Sequence, residues 1–193
     1  MDVKIREFEN KDIHSVPALW NKVVADGNAF PQTETLDEQS GIDFFNMQSF
    51  TGVAENENGE IIGLYILHPN NVGRCGHICN ASYAVKSDLR GRHIGEKLVK
   101  HCIKTAKELG FKILQFNAVV KTNTAALNLY NKLGFVKLGV IPNGFLMPDG
   151  TMKILFRIIS NFKTSAFLPA FKNRAVINSR PVSFINIQNC RCR

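Results

Sequence analysis

Along this chain the spacing of apolar residues changes repeatedly, and each change predicts an element. Val3, Ile5 and Glu7 share one face of an alternating segment, the period of a strand. The step then lengthens: Val16, Leu19, Trp20 and Val23 recur at helical intervals, with Asp12 placed to cap a helix running to about Ala25 and Pro17 tolerated in its first turns. Asp26 to Pro31 is a loop by its breakers, and a second short helix is expected from Asp37 to Asn46. Phe50 to Glu55 and Ile61 to Leu67 read as strands joined by an Asn58-Gly59 turn. Pro69, Asn70, Asn71 and Gly73 break the chain before a fourth strand from about His77 to Val85. Ile94, Leu98, Cys102, Ala106 and Leu109 mark one helix face that Gly110 closes. Ile113 to Val120 forms a fifth strand, and Asn123 is placed to cap a helix from Thr124 to Leu133, ending at Gly134. Val136 to Ile141 and Lys153 to Ile159 pair as a closing hairpin.

The order β-α-α-β-β-β-α-β-α-β-β implies an α+β fold with a mixed, mostly antiparallel sheet. The strand, helix, strand passage from His77 to Val120 supplies one right-handed parallel crossover. A single domain over residues 1–159 is expected, followed by an extension over 160–193.

Composition narrows the class. A chain of 193 residues with 45% hydrophobic and 21% charged residues fits one soluble globular domain. It has no run of eighteen apolar residues, so no membrane span is expected, and a charged, alternating N-terminus speaks against a secretory signal. A cytoplasmic protein with reduced thiols follows from these and from an odd count of five cysteines. The net charge of +8 first suggests nucleic acid. Six of the basic residues (Lys163, Lys172, Arg174, Arg180, Arg191 and Arg193) lie in an extension without Asp or Glu, leaving 18 basic against 16 acidic side chains in the body. The body is close to neutral, so a nucleic-acid partner is not expected of it. The extension is open to three readings: a basic arm, an added strand or dimer contact through V-S-F-I-N-I at 182–187, or a divergent tail without a role. Cys75-x-His77-x-Cys79 departs from zinc-knuckle spacing, and no metal is expected.

The most informative stretch is V-K-S-D-L-R-G-R-H-I-G-E, Val85 to Glu96, which runs from a strand end through a loop into an amphipathic helix. Free N–H groups and the positive end of the helix dipole suit a pyrophosphate there, and Arg90 and Arg92 add matching charge.

With these motifs in this order, the chain resembles the GNAT superfamily of acetyl-CoA-dependent N-acetyltransferases over roughly residues 1–159. The family loop reads here Arg90-Gly91-Arg92-His93-Ile94-Gly95, with His93 where the pattern has its first glycine. A second block, T-N-T-A-A-L-N-L-Y-N-K-L-G-F at 122–135, also matches. The resemblance implies a splay between strands 4 and 5 with helices on both faces of the sheet. It implies acetyl-CoA as cosubstrate, held by Val85, Arg90, Gly91, Arg92, His93, Ile94, Gly95, Glu96, Asn123 and Tyr130. It makes the Val85 N–H an oxyanion donor and Tyr130 the acid that protonates the departing thiolate. Homodimers are common in the family. More narrowly, H-I-C-N-A-S-Y-A-V, F-N-A-V-V-K-T-N and L-G-V-I-P resemble fungal N-acetyltransferases of proline analogues such as azetidine-2-carboxylate. In those enzymes, asparagines matching Asn80, Asn117 and Asn123 line the cleft.

Between Glu60 and Asp88 there is no carboxylate to serve as base. Two sources stay open: His77, or ordered water held by Asn80, Asn117 and backbone carbonyls. Neutral asparagines offer N–H donors that suit a substrate carboxylate better than a polyamine or a lysine side chain. The expectation is acetylation of a small amino acid bound by Asn80, Asn117 and Phe30, with Asn117 also serving the chemistry. The alternatives are a peptide or protein N-acetyltransferase and a non-catalytic acyl-CoA-binding module.

Overall fold

The computed structural model describes residues 2–162. Seven strands form one sheet: β1 (Val3–Glu7), β2 (Phe50–Asn56), β3 (Ile61–Pro69), β4 (Ile78–Val85), β5 (Ile113–Val120), β6 (Val136–Leu146) and β7 (Met152–Asn161), in the order β1-β2-β3-β4-β5-β7-β6. The β4–β5 pair is parallel and the other pairs are antiparallel, as the crossover through the long helix requires. Four α-helices accompany them: α1 (Val16–Asp26), α2 (Glu38–Asn46), α3 (Ile94–Glu108) and α4 (Thr124–Lys132). The basic extension from residue 163, with Cys190, Cys192 and 182–187, lies outside the described residues.

The sheet is covered on both sides, because alternate strand residues are apolar on both faces. Tyr65, Leu67, Cys79 and Ala81 pack against Leu98, Cys102 and Ala106 of α3, with Leu127 and Leu129 of α4 partly buried beside them. On the opposite face Val53, Leu64, Ile66 and Ala84 meet Val16 and Trp20 of α1 and Phe45 of α2. Each fully buried Val, Leu, Ile or Phe among them contributes about 1.5–3 kcal/mol. Gly63 allows α3 to approach closely, since a Cβ there would lie 3.0 Å from Leu98 Cδ1.

Three boundaries differ from the sequence expectation. Asp12 does not cap α1. It sits in a 3-10 turn (Asn10–His14), where it binds Arg6 at 2.7 Å and 2.9 Å and accepts the Glu9 N–H at 2.9 Å. Ser15 precedes α1 without a side-chain cap, and Pro17 occupies the first turn. A half-buried guanidinium making two hydrogen bonds has a stronger claim on that carboxylate than a helix end does. Second, β6 runs through Pro142-Asn143-Gly144 to Leu146. A register shift between Ile141 and Phe145, with Asn143 at φ 52°, absorbs the breakers, and the edge position tolerates the proline. Third, β7 continues to Asn161, and the buried Phe162 donates its N–H to Lys112 O at 2.9 Å. The last described strand thus runs slightly past the expected 159.

Candidate active site

The site begins where two strands part. β4 and β5 pair only at Ile78–Ile113 and Cys79–Leu114, and beyond these residues the ladder opens. On its other edge β4 stays paired with β3, with Gly63 opposite Val85, and Lys86 donates its N–H to Ile62 O at 3.0 Å. Antiparallel alternation therefore turns the Val85 and Tyr83 N–H groups away from β3 and into the opening. On the facing strand, a register shift in the β5–β7 ladder between Phe116 and Val119 releases Asn117 and Ala118 from regular pairing. Each side of the opening thus carries backbone amides without a ladder partner, and such groups are strong ligand donors.

A cleft of about 440 Å³ fills the opening on the α1–α2 side, and Asn80, Asn117, Asn123, Phe30 and Tyr130 all line it. Asn80 Oδ1 accepts the Ala81 N–H at 2.9 Å, so its NH₂ group remains for the cleft. Asn117 is held more firmly. Its oxygen accepts from Gln115 Nε2 at 2.8 Å and Asn70 Nδ2 at 3.4 Å, while its own Nδ2 donates to Asn70 Oδ1 at 2.6 Å. One N–H is left over. Both asparagines therefore present donors to the cleft, because their carbonyl oxygens are already engaged. Phe30 is largely a core residue, its ring tilted against Trp20 at 4.4 Å, and it also lines the cleft. Its loop is held by Asn21, which donates to Leu36 O at 2.7 Å and accepts the Leu36 N–H at 2.8 Å.

On the other side, a groove of about 360 Å³ runs past Val85, Arg90, Gly91, His93, Ile94, Gly95, Glu96, Asn123 and Tyr130. It ends at the start of α3, whose first-turn N–H groups have no intrahelical acceptor. His93 adopts φ 60°, the left-handed conformation its glycine-like place in the loop demands, at a cost of about 1–2 kcal/mol for a side-chain-bearing residue. A Cβ on Gly95 would meet only Leu129 Cδ2 at 3.9 Å, so internal packing does not require glycine there and the space above it stays open. Open backbone at a helix start fits a pyrophosphate. Glu96 does not oppose that charge as a free anion. It pairs with Lys100 at 2.8 Å and Lys132 at 2.7 Å, and these bonds hold its carboxyl down at about 2. The Lys132 pair also ties α4 to α3 across the groove. Arg92 is exposed and is not among the lining side chains, whereas Arg90 is.

Tyr130 and Tyr83 line both cavities. The Tyr130 ring packs 4.4 Å from Phe116 and 5.4 Å from Phe135, and among the described residues nothing bonds to its hydroxyl. Burial, with Cys102 nearby, pushes its phenol well above the ordinary tyrosine value, so it remains an acid at neutral pH. Asn123 caps α4, accepting the Ala126 N–H at 3.2 Å, which orients the helix that carries Tyr130.

Other expectations fare differently. His77 is exposed ahead of β4 and does not line the cleft, so it is not placed to act as base. His68, Asn70 and Gln115 were not expected at the site. His68 is half-buried and lines the cleft, and the other two secure Asn117. The parity of β3 and β4 places His68 opposite Asn80, a signal available only once the register is known. Cys79 is buried and Cys75 exposed, and among the described residues no group of three His, Cys, Asp or Glu side chains could hold a metal. No helix among them is long and apolar enough to cross a membrane.

A sequence model described as Acetyltransferase (GNAT) family matches residues 18–135, more than half the chain. The chain belongs to this family of acetyl-CoA-dependent N-acetyltransferases. It is 36% identical over 81 residues to the N-acetyltransferase aca1 of Schizosaccharomyces pombe, a match covering 42% of this chain and 39% of that one. It is 25% identical over 144 residues to the L-amino acid N-acyltransferase MnaT of Escherichia coli, covering 72% and 83%. A GCN5-related N-acetyltransferase structure from Kribbella flavida superposes with a TM-score of 0.77 at 29% identity, covering 83% and 98%. The fold and cosubstrate implied by the two sequence blocks are those of the family.

Proposed function

We propose that the protein moves the acetyl group of acetyl-CoA to the amine of a small amino acid or analogue, by direct attack in a ternary complex. The observation that carries this reading is the acceptor cleft. Among the described residues its lining has no Asp or Glu to attract a polyamine, and Asn80 and Asn117, whose amide oxygens are engaged, both line it. Their N–H donors suit the carboxylate of the acceptor. The name of MnaT, an L-amino acid N-acyltransferase, supports the same substrate class. Proline analogues such as azetidine-2-carboxylate fit a pocket edged by Phe30 and Phe44.

The roles follow from position. The α3 start, with Arg90, Gly91, His93, Ile94, Gly95 and Glu96, seats the pyrophosphate, Arg92 adds charge nearby, and Asn123 holds the pantetheine arm. The Val85 N–H stabilises the developing oxyanion. Tyr130 protonates the departing thiolate. The reading places the enzyme in the cytoplasm, with the transferase domain ending at the close of β7 and the basic extension beyond it. Val136, Leu138 and Val140, exposed along the edge strand β6, suit a homodimer contact. Thiol release from acetyl-CoA, measured with proline analogues, ordinary amino acids, polyamines and lysine peptides, tests the proposal. Turnover confined to small amino acids is expected. Turnover only of peptides or polyamines would contradict the acceptor assignment, and CoA binding without any turnover would make the chain a binding module.

A further inference from the structure

The reaction has to remove a proton from an ammonium group, and among the described residues lining the cleft there is no carboxylate to take it. We propose that His68 is the general base of the transfer. This assignment rests on the amino-acid reading above. His68 lies near the end of β3, directly opposite Asn80 in the β3–β4 register, and its half-buried side chain lines the cleft beside Ile66. The lining includes three titratable side chains: His68, Tyr83 and Tyr130. Burial raises both phenols, so they keep their protons at neutral pH and have no lone pair of suitable basicity. Imidazole is the side chain whose charge changes between about pH 5 and 8.

The tautomer is fixed by the backbone. His68 Nδ1 stands 3.0 Å from Pro69 O, and a carbonyl oxygen only accepts, so the neutral ring carries its hydrogen on Nδ1. Nε2 is left with the lone pair. The other polar side chains among the described residues lining the cleft are Asn80, Ser82 and Tyr83 from β4, Asn117 from β5, Asn123 and Tyr130 at α4, and Gln32 and Gln48 beside α2. None carries a formal charge at neutral pH, so no neighbouring carboxylate competes for the proton.

Nε2 takes one proton from the acceptor's ammonium group, giving imidazolium and a neutral amine. The nitrogen lone pair forms the N–C bond to the thioester carbonyl carbon, and the π pair moves to oxygen beside the Val85 N–H. As the C–O π bond re-forms, the C–S bond breaks with its pair on sulfur, which takes the Tyr130 proton. The new amide nitrogen returns its extra proton to the phenolate, and His68 releases its own to solvent.

The experiment is the pH profile of kcat/KM for azetidine-2-carboxylate and for a second amino acid of lower amine pKa. Wild type is compared with His68→Gln and His68→Ala, with acetyl-CoA binding and melting temperature checked for each. Wild type should show a rise in kcat/KM with pH whose midpoint is the same for both acceptors. His68→Gln should lose that rise and about 10²–10⁴-fold in rate, and added imidazole should restore part of the His68→Ala rate. A folded His68→Gln enzyme with the wild-type rate and profile would overturn the assignment while leaving the amino-acid reading intact. So would a rise that follows the acceptor's own amine pKa. Wild type that turns over neither amino acid would overturn the underlying reading, and the base with it.

Discussion

Tyr130→Phe removes one oxygen and leaves in place the ring that packs 4.4 Å from Phe116 and 5.4 Å from Phe135. Among the described residues no hydrogen bond is lost, so the stability change should fall below the roughly 0.5–1.5 kcal/mol of a typical hydrogen bond. For a domain of this size that corresponds to a melting shift of less than about 4 °C. Acetyl-CoA affinity should be unchanged, because the seat is built at the start of α3. The rate should not be spared. Without a proton donor beside the leaving sulfur, kcat should fall about 10²–10⁴-fold, a barrier increase of roughly 3–5 kcal/mol. The wild-type phenol is pushed above its ordinary value by burial, with Cys102 adding to the shift. Its acid form therefore persists, and kcat should show no Tyr130-linked fall below about pH 10. Stopped assays of thiol release at saturating acetyl-CoA, paired with thermal melts, measure both quantities. A folded Tyr130→Phe enzyme with kcat within threefold of wild type would refute the role and place the proton elsewhere.

Asn70→Ala should raise the acceptor's KM about tenfold while leaving that of acetyl-CoA alone, since Asn117 loses its reciprocal amide partner. Combined with Asn117→Ala it should add little, the mark of two residues acting as one unit in a double-mutant cycle. Gly95→Leu should weaken acetyl-CoA binding at least about tenfold by filling the anion seat, with little effect on the melting temperature of the free protein, because the first added carbon meets only Leu129 at 3.9 Å. Acid should expose the Arg6–Asp12 pair. Burial works to raise the Asp12 carboxyl, but the Arg6 hydrogen bonds, the Glu9 N–H and the Arg6 charge bring it below the usual value. A lowered folded pKa means this contribution is complete above the unfolded value of about 4 and disappears as pH falls through the folded one. Asp12→Asn should cost about 3 kcal/mol at pH 7 and flatten the acid arm of a denaturation series.

Much of the fold was legible because its signals are local. The 3–4 spacing from Ile94 to Ala106 and the Asn58-Gly59 turn specify their elements without tertiary help. The left-handed His93 was also legible, since the loop pattern asks for glycine at that position. What escaped depends on distant parts of the chain. Asp12 looks like a helix cap until β1 brings Arg6 beside it. Pro142-Asn143-Gly144 looks like a strand end until pairing with β7 makes it a bulge within an edge strand. Asn70 reads as a turn residue, and its partner Asn117 lies 47 positions away. His68 gains a role only from the register that sets it against Asn80. His77, nearer the motifs in sequence, falls outside the cleft because it precedes the strand.

The central claim is that the two asparagine amides make the cleft selective for an amine that also carries a carboxylate. The direct measurement is kcat/KM for acetyl transfer from acetyl-CoA to azetidine-2-carboxylate and to azetidine, the same ring without the acid. At least about a hundredfold preference for the acid is expected, because the analogue leaves the N–H donors of the occupied cleft unpaired. Equal rates for the two, or turnover only of amines that lack a carboxylate, would contradict it.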